Sequence, residues 1–268
     1  MNTPRISASS YSNTAPLVWS FLYGLNHGKV EIILDNAPAR SAELLSQGRV
    51  DAALVPVIAS QSIPGVKLIP DVCVGAKERV RSVRLVTRGG DLEDVRSVSL
   101  DVSSRTSVVL TKIIFREFLG FEPEWRPAEP DIDAMLTESD AALLIGDPAL
   151  ELSDSDPKSK ILDLKSFDLA ELWRSHTGLG FVFAMWMTTR DRCDIDFPAA
   201  RDEGLQHIPE IAANYAPQTG LSTASLVEYL SENISYSVQP SMQEGLELYL
   251  ALAYKHALTE RKPEIRLI

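Results

Sequence analysis

Two spacings of apolar residues alternate along most of this chain. Short aliphatic and β-branched runs at 6–9, 30–34, 50–55, 82–87, 95–100, 141–145 and 181–187 have the length and composition of strands. Between them, 15–25, 39–47, 106–119, 132–139 and 169–176 repeat their apolar positions as amphipathic helices do. Such alternation predicts an α/β protein with mainly parallel sheets. The last fifth differs: 203–215, 222–234 and 241–258 are helical in period and contain no strand. The Ser/Asp/Pro/Lys cluster at 153–160 reads as a surface loop rather than a domain boundary.

Boundaries are expected in two extended segments, around 84–90 and 183–190. A chain that leaves one lobe and returns to it through two strands makes a hinge. Residues 1–86 and 186–268 would then form a discontinuous first lobe, and 87–185 a second. A ligand would sit in the cleft between them, where strands end and helix N-termini point.

Charge narrows the ligand. With 37 acidic and 26 basic residues the formal net charge is −11, and a surface of that sign repels nucleic acid and anionic membranes. A local pocket in an acidic protein can still be positive, so a small anion remains a candidate. Cys73 and Cys193 lie in unrelated contexts and make neither a disulfide framework nor a zinc site. The first ten residues hold one Arg and no apolar run follows, unlike a secretory signal. The longest apolar stretch, 180–187, is too short to span a bilayer. These features predict a soluble, cytoplasmic protein; they carry no information on oligomeric state.

Four segments offer chemistry. Residues 9–17 follow the first strand and contain Ser10, Tyr11, Asn13 and Thr14, with Pro16 placed to open a helix. An ordinary capping turn with Asn13 or Thr14 as N-cap is the simpler explanation, although more polar groups are present than a cap needs. Residues 101–107 place Ser104, Arg105, Thr106 and Ser107 where a strand hands over to a helix. Hydroxyls, free backbone N–H groups and a guanidinium there suit a carboxylate. A Ser-rich cap with a solvated Arg is an equal alternative on spacing alone. Asp147 follows the apolar run 141–145 and stands before Pro148, where capping is the leading role. Thr177 and Gly178 end a helix before the run 181–187, either as a plain stop or as groups facing the cleft.

Several chemistries lack their motifs. There is no GxSxG, HExxH, Walker or GxGxxG pattern. His27, His176, His207 and His256 have no metal-ligand spacing. The residues alone therefore describe a two-lobed binder of small anions and leave catalysis open, with no metal or cofactor called for.

The chain resembles the chorismate dehydratase family of the futalosine route to menaquinone. The resemblance rests on an ordered set of segments: SYSNTAPL at 10–17, GRVDAALVP at 48–56, VRSVRL at 80–85, SLDVSSRTSVVL at 99–110 and LLIGDPAL at 143–150. It continues through DLAELWRSHTGLGFVFAMW at 168–186 and ISYSVQPSMQEGLELYL at 234–250. The family pattern carries Leu where Ser12 stands and Pro where Gly180 stands. The resemblance implies a fold similar to type II periplasmic binding proteins and a lyase that removes water from chorismate to give 3-[(1-carboxyvinyl)oxy]benzoate.

That implied chemistry suits the residues. Chorismate is a dianion, and aromatisation drives its dehydration, so an enzyme mainly positions it and stabilises charge. The resemblance implies that the substrate's own enolpyruvyl carboxylate takes the proton. Asn13 and Ser82, matching family positions, would hold that carboxylate and the leaving hydroxyl. Ser104, Arg105, Thr106 and Ser107 would receive a carboxylate from the other side, with Ser10, Tyr11, Asp147, Thr177 and Gly178 nearby. Two alternatives stay open: a related naphthoate-forming lyase, expected to need a cleft histidine such as His176, and a non-enzymatic small-anion binder.

Overall fold

The computed structural model describes residues 3–152 and 164–268, so the expected loop at 153–160 lies outside the described residues. Strands β1 (Arg5–Ser9), β2 (Glu31–Asp35), β3 (Ala52–Pro56), β4 (Lys67–Ala76) and β10 (Phe181–Thr188) form one sheet in the order β2-β1-β3-β10-β4. Strands β5 (Val83–Arg88), β6 (Ser97–Asp101), β7 (Glu124–Ala128), β8 (Ala141–Ile145) and β9 (Leu164–Asp168) form a second, ordered β7-β6-β8-β5-β9.

The expected predominance of parallel pairing is not what forms. β1 lies parallel to β2 and β3, and β6 to β7 and β8. β10, however, runs antiparallel to β3 and β4, and β5 antiparallel to β8 and β9. β1, β3, β6 and β8 end where the two sheets face each other, whereas β5 and β10 carry the chain across that gap and therefore start there. Apolar period reports burial and carries no direction.

Three strands, β4, β7 and β9, have no counterpart among the strands expected from the apolar pattern. All three are edge strands. An edge tolerates the Pro70 and Pro127 that would break a central ladder, and exposes residues that blur alternation; β7 and β9 are mostly half-buried or exposed.

Most helices fall where expected: α1 (Ala15–Leu22), α2 (Pro38–Ser46), α3 (Thr106–Ile113), α4 (Ile132–Glu138), α5 (Gly146–Glu151) and α6 (Leu169–Thr177). α3 continues to Leu119 as wider π turns. The period at 203–215 covers two helices, α7 (Phe197–Leu205) and α8 (Ile208–Thr219), separated where Pro209 opens the second. Then follow α9 (Thr223–Glu228), prolonged by a π turn at Tyr229–Asn233, and α10 (Pro240–Lys255). This last fifth, expected to be wholly helical, also bridges β4 singly at Gly75–Ser235 and Leu68–Leu267. Among the described residues no helix is long and apolar enough to cross a membrane.

Glycines allow two close helix contacts. A Cβ on Gly245 of α10 would lie 2.0 Å from the Gly180 carbonyl oxygen, and one on Gly204 of α7 would lie 1.9 Å from that of Pro16. Gly180, where the family pattern has Pro, also accepts a hydrogen bond from Trp173 Nε1 at 3.2 Å.

The chain crosses between the sheets twice, at 77–82 and at 169–180, and one carboxylate ties both crossings together. Asp168 accepts from the N–H groups of Val80 at 3.0 Å and Arg81 at 2.7 Å, and caps α6 through Ala170 at 2.9 Å and Glu171 at 3.2 Å. It holds Arg81 in the left-handed region at φ 60°, a strained conformation for a non-glycine residue. Ser82 follows directly.

Candidate active site

The two sheets face each other across a narrow cleft of about 70 Å³. Tyr11, Asn13 and Thr14 line it from the turn after β1; Ser82 and Val83 from the first crossing; Ser104, Arg105, Thr106 and Ser107 from the start of α3; and Phe183 and Ala184 from β10. Segments more than 90 residues apart in sequence thus converge, because each follows or begins a strand at the same end of its sheet.

The turn after β1 is held by Thr14, whose Oγ1 donates toward the carbonyls of Ser9 at 2.6 Å and Tyr11 at 2.8 Å. Neither Thr14 nor Asn13 caps α1 through its side chain. The capping explanation for Asn13 therefore fails, and its buried amide stays available to the cleft.

The second wall is organised by Asp101. Its carboxylate accepts from Ser103 N–H at 2.9 Å and Ser103 Oγ at 2.6 Å, and from the Ile145 N–H at 3.3 Å. Burial raises the Asp101 carboxyl above its ordinary range, opposed by the bonds from Ser103. With Asp101 taking these structural bonds, α3 starts without a side-chain cap. Ser104, Thr106 and Ser107 are buried, and Thr106 Oγ1 has no hydrogen-bond partner. These hydroxyls and the unpaired N–H groups of the first turn form a donor-rich wall.

Among the described residues, Arg105 is the one charged side chain in the lining, which holds no carboxylate and no histidine. The Arg105 side chain is 41% exposed and stands 3.6 Å from Glu43 of α2, an ion pair that reaches across the cleft. Tyr11 is pushed up by burial, with Ser103 pulling the other way, so it stays a neutral donor at ordinary pH. Among the described residues, no group of His, Cys, Asp or Glu is arranged to hold a metal.

Four sequence-predicted residues lie outside the lining. Ser10 turns its hydroxyl outward to Asn36 at 2.9 Å, while its carbonyl accepts from Tyr215 at 2.9 Å. Asp147 sits behind the wall: its carboxylate accepts from the Ser12 N–H at 3.1 and 3.3 Å and from the Ser12 hydroxyl, joining the two sheets. It does not cap α5, which has no side-chain cap. Burial raises its carboxyl, with Ser12 opposing. Ser12, where the family pattern has Leu, therefore supplies a polar bond between the sheets. Thr177 bonds back to the Trp173 carbonyl at 2.8 Å and Gly178 takes φ 74°, which together make a plain helix stop.

Sequence alone does not single out Gly146 or Tyr229. Gly146 adopts φ 66°, and a Cβ there would come within 2.8 Å of the Tyr11 ring, so its bare backbone lets Tyr11 close the cleft wall. Tyr229 packs behind Asn13 and Ser82. The signal for Gly146 is a glycine between an apolar strand and Asp-Pro. For Tyr229 there is none, since it reads as one more apolar position on a helix.

Two facing sheets with a cleft of hydroxyls, helix N-termini and one guanidinium define the periplasmic-binding-protein class of fold. The aliphatic sulphonate-binding protein of Escherichia coli superposes with a TM-score of 0.65 at 16% identity, covering 98% of this chain and 90% of its own. The profile of the menaquinone-biosynthesis family matches residues 4–255, and the chain belongs to that family. The chorismate dehydratase of Thermus thermophilus is 31% identical over 258 residues, 89% of this chain and 91% of its own. That of Campylobacter jejuni is 26% identical over 80% of this chain and 79% of its own.

Proposed function

We propose that this chain is a chorismate dehydratase, a lyase that binds the dianion in the cleft and eliminates water to give 3-[(1-carboxyvinyl)oxy]benzoate. One observation carries the proposal: Asn13, Ser82 and residues 104–107 line a single cleft whose described residues offer donors and one cation but no carboxylate or imidazole base. A substrate that brings its own carboxylate base fits such a site. The ring C–H electron pair becomes the new ring double bond as the C–O bond breaks. The enolpyruvyl carboxylate takes the ring proton and passes it to the departing hydroxide, which leaves as water and regenerates the carboxylate. Asn13 and Ser82 would orient that carboxylate and donate to the leaving oxygen, where donors aimed at developing charge lower the barrier. Arg105, the α3 N-terminus and the hydroxyls of 104–107 would hold the second carboxylate, with Tyr11 as a neutral donor.

The two sheets would act as lobes that move about the crossings at 77–82 and 169–180, a few residues before the boundaries expected from sequence. We place the enzyme in the futalosine route and in the cytoplasm; the unpaired state of Cys73 and Cys193 is consistent with that compartment. The naphthoate-forming alternative is disfavoured because His176 stacks on Phe118 with centroids 4.5 Å apart and is not in the lining. Incubation with chorismate, with chromatographic detection of the aromatic product, tests the proposal. Binding without conversion would support a passive anion binder, and absence of both would remove chorismate as the ligand.

A further inference from the structure

One hydroxyl behind the cleft has no part in the scheme above. Tyr229, at the start of the π turn after α9, is fully buried, and its hydroxyl has no hydrogen-bond partner. The Arg81 guanidinium stands 6.0 Å from the centre of its ring and also donates to Ser225 Oγ at 3.3 Å, which fastens the ring to the first crossing. The polar side chains beside the hydroxyl are Ser82 and Asn13. Both are under-used: Ser82 Oγ reaches only the Val80 carbonyl, at 3.4 Å, and the Asn13 amide caps nothing. A buried hydroxyl left without a partner is costly, and phenylalanine would pack in the same space without that cost. Three under-satisfied polar groups gathered at one point of a cleft wall describe a site whose hydrogen bonds are completed by a ligand.

We propose that Tyr229 is a positioning residue for the dehydration, which orients Ser82 and Asn13 toward the substrate. Its O–H donates to Ser82 Oγ and its lone pairs accept one N–H of Asn13. The Ser82 proton and the second Asn13 N–H are then left to face the cleft. The phenol can fill this role as a neutral group, because burial holds it well above its ordinary value and it stays protonated. The inference rests on the dehydratase reading.

Tyr229→Phe tests it, since the ring and its packing are kept. We expect kcat for chorismate to fall roughly tenfold and KM to stay within about twofold. A purely structural role would lower the melting temperature and leave kcat alone; kcat within about twofold of wild type overturns the proposal. High-resolution crystal structures of the ligand-free wild type and variant ask the same question without substrate. A single Asn13 conformer in the wild type and a turned or split one in the variant is expected; the same conformer in both overturns the role. If the wild type does not convert chorismate, the dehydratase reading falls, and this structural comparison alone decides whether Tyr229 orients Asn13.

Discussion

Arg105→Ala should weaken ligand binding while leaving the protein folded. Among the described residues the guanidinium has one ion-pair partner, Glu43, at 3.6 Å, with the two side chains 41% and 44% exposed. Exposed pairs of that kind contribute about 0–1 kcal/mol. Glu43 also keeps Arg40 at 2.9 Å, so the substitution orphans no charge. The melting temperature should therefore fall by less than about 4 °C. A carboxylate seated on the α3 N-terminus, by contrast, would lose a charge-assisted hydrogen bond worth about 1.5–3 kcal/mol. That predicts an affinity roughly 10- to 150-fold weaker. The assays are KM for chorismate and calorimetric Kd for 3-[(1-carboxyvinyl)oxy]benzoate, each at low and moderate salt. An affinity within about threefold of wild type at both salts would refute the reasoning and leave Arg105 a surface residue paired with Glu43.

Three further outcomes are expected. Asn13→Ala should lower kcat by about 100-fold or more with KM changed only a few-fold, because its donors act on charge that develops in the transition state; unchanged turnover would remove it from catalysis. Asp147 binds its proton more tightly folded than unfolded, so its contribution to stability declines as pH rises from the ordinary carboxylate range through its raised value. Asp147→Asn keeps an acceptor for Ser12 and should flatten that decline in urea titrations across pH, and equal slopes in the two proteins would contradict it. Gly245→Ala places a Cβ 2.0 Å from a backbone oxygen and should cost about 2 kcal/mol or more, read as a lowered urea midpoint; a midpoint equal to wild type would mean that α10 can shift freely.

Local chemistry makes much of the candidate site legible along the chain itself. Asn13 and residues 104–107 stand out because hydroxyls, an amide and a guanidinium gather at helix starts beyond what capping requires. Ser82 is different: it stands alone between Arg81 and Val83 with no other hydroxyl or amide beside it, and the family resemblance alone marks it. Asp147, Thr177 and Gly178 occupy similar strand or helix ends, yet they serve the fold, Asp147 by receiving Ser12 and the other two by stopping α6. Residue type and position at an element's end are the same in both cases. What separates them is whether another segment takes up the hydrogen bond, and that partner can lie 135 residues away, as Ser12 does from Asp147.

Hydrophobic period and turn residues suffice for the α/β class, the buried central strands and the early helices, because burial of one face is written locally at every second or every third and fourth position. Composition likewise settles that an acidic surface must bind any anion through a local pocket. The direction of β5 and β10, the edge strands β4, β7 and β9, and the meeting of Asn13, Ser82 and Arg105 in one cleft come from packing. Strand direction, edge pairing and convergence depend on how distant segments share hydrogen bonds and exclude water together, and no single stretch of chain carries that information. Tyr229 is the sharpest case: along the chain it is one apolar position among many, and only the Asn13 and Ser82 side chains beside its hydroxyl give it chemistry.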